Sequence, residues 1–176
     1  MGDTWDGPDR NNLSDEAFNL IVDSVRNIID NVRPSRTFYT LEPMPWIFPD
    51  SPQSYIKLIE AIDRKAFGAH MDIVNMINCP SRYFMNGEFI KECFRILGDQ
   101  IKSCHAKDIK MMPKLTVNLE ETYPGNGSLD YIAYLSEINK LNQDIPLIIE
   151  HIDLPEEYTQ AVRFIKQTAR ENNIQL

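Results

Sequence analysis

Between Ser14 and Pro34 the apolar residues Phe18, Ile21, Val22, Val25, Ile28, Ile29 and Val32 return with a period of about 3.6 residues, the stripe of a helix packed by one face. Ser14 is placed to cap this helix, Asp15 and Glu16 suit the positive end of its dipole, Leu13 is spaced to staple onto Phe18, and Pro34 closes it. The period then changes repeatedly. A β-rich run, "TFYTLE" (37–42), leads into the loop "PMPWIFPD", and Ser51 and Pro52 open a second helix with Tyr55, Ile59 and Ile62 on one face. "AFGAHMD" reads as a second strand ending at Asp72. A helix over about residues 87–97 turns Phe89, Cys93, Phe94 and Leu97 inward and stops at Gly98. The strand in "IKSCHAKD" (101–108) follows, then a long loop to "PGNGSLD", where Ser128 is placed to cap a helix carrying Ile132, Leu135 and Ile138. A last strand, "IPLIIE", ends at Glu150, and Pro155 opens a final helix bearing Tyr158, Val162 and Ile165.

One helix followed by four β/α units predicts an α/β fold with a parallel sheet and right-handed crossovers. The chain has 176 residues, enough for a single domain over 1–176, and 43% hydrophobic with 25% charged residues is ordinary for a globular protein. The net charge of −8 argues against a surface that follows nucleic-acid phosphates. No apolar stretch approaches the roughly 20 residues of a membrane span, and the polar, acidic opening "MGDTWDGPDRNNLSDE" is not a secretory signal. Cys79, Cys93 and Cys104 form no CxxC pair, and an odd count fits reduced thiols; the expected location is cytoplasmic.

Each predicted strand finishes on a metal-ligand residue type: Glu42, Asp72, His105 and Glu150. In parallel α/β architectures the carboxyl ends of strands face one shared crevice. Three carboxylates cannot share a small volume without a cation to offset them, so the four ends imply a divalent metal. Three oxygens and one nitrogen suit Mn²⁺ or Mg²⁺, with Co²⁺ or Zn²⁺ as further candidates, although structural Zn²⁺ more often brings cysteines. Alternation puts Ser103, His105 and Lys107 on one face and Cys104 on the other, toward the helices. His70 shares a face with Asp72, one layer deeper, as a partner to the ligands or a packed core histidine, with packing favoured. His151 faces away from Glu150. Lys107 is a candidate to steady a substrate oxygen, Trp46 a candidate apolar wall, and Pro124-Gly125-Asn126-Gly127 is too generic to name a phosphate cradle on its own.

The segments "TLEPMPW", "AHMDIVNMIN", "SCHAKD", "PGNGSLDY" and "IIEH", in this order, resemble the sugar phosphate isomerase/epimerase family of xylose isomerase-like TIM barrels. The likeness covers nearly the whole chain. It implies a metal held by Glu42, Asp72, His105 and Glu150, with Glu42 and Glu150 moving protons at a carbon next to a carbonyl through an enediolate. It also implies Asn75 and Asp108, beside Trp46 and Lys107, as substrate contacts, and a small sugar or sugar phosphate as substrate. Three departures stand out. Asp72 is followed by Asn75 where such epimerases often carry a histidine, Met111 stands where an arginine often follows the metal histidine, and four strands are present where the barrel has eight.

Four β/α units match the C-terminal half of such a barrel, and the opening "GDTWDG" reads as a βα loop with no strand before it. The expectation is a partial barrel lacking its N-terminal half, with unpaired edges that offer a route to a homo-oligomer. The functions in competition are an isomerase or epimerase, an inactive metal-binding or self-assembling barrel fragment, and an abasic-site endonuclease-like phosphodiesterase. The last needs basic surface and more histidines than the three present.

Overall fold

A computed structural model describes residues 7–141, 144–150, 152 and 154–176. It places helix α1 at Asp15–Val32, strand β1 at Tyr39–Leu41, α2 at Pro52–Ile62, β2 at Phe67–Met71, and two short helices, α3 at Ile73–Met76 and α4 at Pro80–Phe84. Helix α5 spans Asn86–Leu97, β3 Ile101–Ala106, β4 Asp108–Met111, β5 Leu119–Thr122, α6 Tyr131–Asn139, β6 Leu147–Ile149 and α7 Pro155–Glu171. Strands β1, β2, β3 and β6 form one parallel sheet in that order, and β4 pairs with β5 in a separate antiparallel hairpin. The sheet is an open segment of a barrel. His151 and residues 1–6 of the opening segment lie outside the described residues.

The helices cover one side of the sheet with the predicted stripes, trimmed by packing. On α1, Val22, Val25 and Ile29 are buried while Ile28, Val32 and the expected staple Leu13 are exposed. Ser14 caps this helix through Ala17 N. Arg26 on its inner side donates to the carbonyls of Ala61 and Ile62, satisfying the last turn of α2. On α5, Phe89, Ile90, Cys93, Phe94 and Leu97 are buried, and Gly98 ends the helix at φ 46°, a conformation cheap only for glycine.

Three expectations need correction. The stretch after β3 is not a plain loop: Ile109 faces Glu121 and Met111 faces Leu119 across the β4–β5 hairpin. The cap of α6 is Asp130, which accepts from Ala133 N, whereas Ser128 accepts from the Tyr83 hydroxyl. Of the expected stripe Leu135 is buried and Ile138 packs on the core, but Tyr131 and Tyr134 fill the inner face and Ile132 faces solvent. In α7 the buried positions are Ala161, Ile165 and Ala169, four residues apart, with Tyr158 and Val162 exposed.

Buried tyrosines fasten the strand ends from which the site projects. The Tyr55 hydroxyl accepts from Leu41 N (3.1 Å) and His70 N (3.0 Å) and donates to Leu41 O, tying β1 to β2 beside the register shift at Ala69/His70. The Tyr134 hydroxyl donates to His105 O (2.8 Å), with Met71 O at 3.3 Å, and Tyr131 donates to Lys107 O (3.0 Å). No described helix is long and apolar enough to cross a membrane.

Candidate metal centre

The parallel register sets the cluster. Glu42, Asp72 and Glu150 each follow the last residue of a strand, and His105 is the penultimate residue of β3, so four donors emerge at one end of the sheet. His105 Nδ1 lies 2.7 Å from Glu150 Oε1, 3.3 Å from Asp72 Oδ2 and 3.7 Å from Glu42 Oε1. One ligand atom from each of the four residues lies within 4.8 Å of every other. Donors about 2.1 Å from a shared ion sit up to about 4.2 Å apart across it, so a closure of about half an ångström brings this O₃N set onto a divalent cation. Glu42, Asp72, His105 and Glu150 can therefore hold one.

Asp72 divides its carboxylate. Oδ1 accepts from Asn75 N (3.0 Å) as the cap of α3, while Oδ2 faces His105 and, at 2.9 Å, Lys107 Nζ. Asn75 also donates from Nδ2 to Glu42 Oε1 (3.1 Å). The residue thus orients two of the four donors, as outer-shell partners do in metal sites.

Lys107 is the other cation of the cluster and is fully buried. Its ammonium lies 2.8 Å from Glu121 Oε2, 2.9 Å from Asp72 Oδ2 and 3.0 Å from Glu150 Oε1. Glu121 comes from β5 and was not singled out in the sequence, because its place above Lys107 depends on the hairpin register. Burial raises the pKa of Asp72, but the His105 hydrogen bond and the Lys107 charge outweigh it and hold this carboxyl well below the usual range. For Glu150 burial prevails over Lys107 and the pKa is raised. Burial lowers the pKa of the His105 imidazole, yet the hydrogen bonds to Asp72 and Glu42 and the charge of Glu150 carry it up to about 9. In the metal-free protein a proton on His105 does part of a cation's work.

His70 lies beneath this cluster with Nδ1 at 2.5 Å from Ser103 Oγ and its ring edge-on to His105, centroids 3.9 Å apart. Burial and the neighbouring His105 push its pKa down to about 4, so it packs as a neutral ring. Cys104 faces the helices in the core.

Asp108 belongs to the scaffold instead of the substrate contacts expected for it. Its Oδ1 accepts from Ile109 N (2.8 Å) and Leu129 N (2.8 Å), and Oδ2 from Gly125 N (3.0 Å). A Cβ on Gly127 would lie 2.2 Å from Asp108 Oδ1, so only glycine lets the loop close on the carboxylate. The Pro124–Gly127 loop turns its amides inward onto an anion of its own chain. Trp46 and Asn75 line a cleft of about 690 Å³ beside Glu42 and Lys107, closed on the far side by the β4–β5 hairpin.

Comparison with known proteins places this geometry. A family model described as "Xylose isomerase-like TIM barrel" matches residues 3–168. No curated protein matches the chain. A xylose isomerase-like TIM barrel protein from Mycobacterium smegmatis, solved in complex with magnesium, superposes with a TM-score of 0.70 at 16% identity, over 94% of this chain and 53% of its own. A xylose isomerase domain protein from Planctomyces limnophilus gives a TM-score of 0.67 at 18% identity, over 92% and 57%. D-psicose 3-epimerase from Clostridium cellulolyticum H10, solved with D-tagatose, gives 0.60 at 12% identity, over 94% and 59%. The chain spans a little over half the length of these structural relatives.

Proposed function

The chain belongs to the xylose isomerase-like TIM-barrel family, and from that premise we propose that it is the metal-binding half of a sugar isomerase or epimerase that moves a proton at a carbon next to a carbonyl. The observation that carries this reading is the convergence of three carboxylates on His105 Nδ1 within 3.7 Å. A divalent ion, Mn²⁺ or Mg²⁺ by the donor set, supplies a Lewis acid that offsets negative charge developing on substrate oxygens. Glu42, Asp72, His105 and Glu150 would hold it.

The roles of the chain's own groups follow from exposure and charge. Asp72 is buried and caps α3 by accepting from Asn75 N, so it holds and does not transfer. Glu42 and Glu150 flank the cluster from the two outer strands and keep side-chain exposures of 35% and 17%. One of them removes the proton from one face of the substrate carbon and the other returns it from the opposite face, which inverts the stereocentre. Delivery to the neighbouring carbon gives aldose–ketose isomerisation. Burial raises the pKa of Glu150, which suits it to accept the proton. Lys107 keeps Asp72 and Glu150 together during that exchange. The phosphodiesterase alternative draws no support from a cluster with one imidazole and a cleft walled by glutamates.

The test is solvent exchange. The protein with Mn²⁺ and a panel of ketoses in D₂O should place deuterium at the carbon next to the carbonyl, read by proton NMR. Tight Mn²⁺ binding with no exchange from any ketose would reduce the chain to a metal-binding module.

A further inference from the structure

The parallel sheet ends in two open edges. Strands β1 and β6 are outermost, and among the described residues each pairs on one side only. Parallel pairing engages alternate residues of a strand. Tyr39 N donates to Ala66 O (2.8 Å) and Cys104 N donates to Pro146 O (2.9 Å), so Tyr39 and Pro146 face inward along the sheet. Thr40 on β1 and Leu147 and Ile149 on β6 therefore turn their backbone groups to the open edges. A parallel neighbour takes such a residue between two of its own, and Thr40 fits between Leu147 and Ile149 of a second β6, opposite Ile148. The face that carries the metal donors is also unfinished. Phe38 and Ile148 are half-exposed on it, and His70 Nε2 is buried with no hydrogen-bond partner among the described residues. The chain exposes 10753 Å² of surface, where a compact monomer of 20.4 kDa exposes about 8,800 Å². The excess of about 1,900 Å² has the scale of one side of a large subunit interface.

We infer that a second copy of this chain closes the barrel. This assembly goes beyond the proposed function and does not depend on it. Four strands are half of the eight that close a TIM barrel, and all four run in one direction. A two-fold axis along the barrel axis preserves that direction. It lays β6 of each copy beside β1 of the other and forms two identical seams. The faces match as well. Thr40 alternates with Glu42 and Ile148 with Glu150, so both members of the seam pair point into the barrel. A dimer that set β1 against β1 would reverse one strand and leave both β6 edges open. Closure encloses Phe38 and Ile148. It also walls the crevice on the sides where Glu42 and Glu150, on the two edge strands, keep their exposure. Each set of carboxylates arrives with its own Lys107 within 3.0 Å of three of them, which tempers the repulsion between two such centres at one mouth.

The experiment is sedimentation equilibrium on the full chain, with Mn²⁺ binding titrated on the same samples. A dimer at micromolar concentration is expected. Ile148→Lys, at a residue half-exposed in one copy and outside the metal donors, should keep the circular dichroism spectrum. It should weaken dimerisation by about 100-fold or more, because each dimer would hold two lysines inside the barrel. Ile132→Lys, at a residue equally exposed on α6, should leave dimerisation unchanged. The double variant Thr40→Cys/Ile148→Cys tests the seam itself. Within one copy these positions lie on opposite edges of the sheet, so oxidation should join two copies into one covalent dimer on a non-reducing gel, while neither single variant cross-links. A monomer at every concentration would assign the open edges to a different chain and overturn the inference. So would a dimer that Ile148→Lys leaves as tight as before, a double variant that gives no cross-link or an open-ended ladder, or cross-linking by a single variant. A monomer that binds Mn²⁺ would leave the proposed function standing, whereas a dimer that binds none would overturn the proposed function and leave the assembly.

Discussion

The inner strands β2 and β3 and the outer strands β1 and β6 each contribute two donors, and they do so from different surroundings. Every residue of β2 is buried, and β3 carries Cys104 and Ala106 at zero exposure. Tyr134 clamps the ends of both strands. Asp72 and His105 emerge from this packed centre with side-chain exposures of 1% and 13%. The outer strands are three residues each, and Phe38 just before β1 and Ile148 within β6 are exposed. The buried, doubly anchored pair suits the task of fixing an ion. The outer pair, with more solvent contact, suits the task of exchanging protons with a substrate.

The largest effect should come from breaking the centre's charge balance. Lys107→Met leaves three carboxylates together with only His105 to offset them, and removing one partner of a buried ion cluster costs about 3 kcal/mol or more. Urea unfolding without metal should show that loss, and saturating Mn²⁺ should restore part of it. A loss unchanged by Mn²⁺ would mean that the ion and the lysine do not share the same carboxylates. Next comes Asp72→Asn, which still caps α3 but removes the inner carboxylate; Mn²⁺ affinity should fall by about 100-fold or more in calorimetry, with the fold retained.

Tyr134→Phe probes the clamp and not the cluster. It deprives the buried His105 carbonyl of its donor, for a cost of about 1–2 kcal/mol, whereas Tyr158→Phe on the exposed side of α7 should stay within about 0.5 kcal/mol. Equal costs at the two sites would erase the distinction between a pinned centre and an unpinned surface.

What the sequence made legible, and what it hid, follows the same division. Strand order, direction and the four donors could be read because each rests on a local signal: a short apolar run, a cap, a ligand type at a strand end. Glu121 and the inward turn of Tyr131 and Tyr134 could not be read, because each depends on register set elsewhere. The inner face of α6 keeps Leu135 but takes Tyr131 and Tyr134 in place of Ile132, and the hairpin carries Glu121 to Lys107 from fourteen positions away. Asp108 shows the same limit. Its type marks a site residue equally well whether its partners are a substrate or the backbone amides of its own loop.

The outer donors give a milder prediction. Glu42→Gln keeps the Asn75 contact geometry and leaves three donors, so Mn²⁺ affinity should drop about tenfold, less than for Asp72→Asn. An equal loss at the two positions would remove the difference in anchoring.

The smallest perturbation changes no side chain. With His105 at about 9 in the metal-free protein, an ion must displace its proton, so Mg²⁺ affinity should rise just under tenfold from pH 7 to pH 8 and level off above pH 9. Stability of the metal-free protein should run the other way. A pKa raised from 6.5 in the unfolded chain to about 9 in the folded one contributes stability that is complete below pH 6.5 and lost as the pH climbs through about 9. Saturating Mg²⁺ should remove that decline, because the cation then replaces the proton as the partner of Asp72, Glu42 and Glu150. Thermal unfolding at pH 6.5 and 9, with and without Mg²⁺, reads both signs at once. A decline that persists in Mg²⁺ would show that the ion and the His105 proton do not compete, and that the four donors do not act as one site.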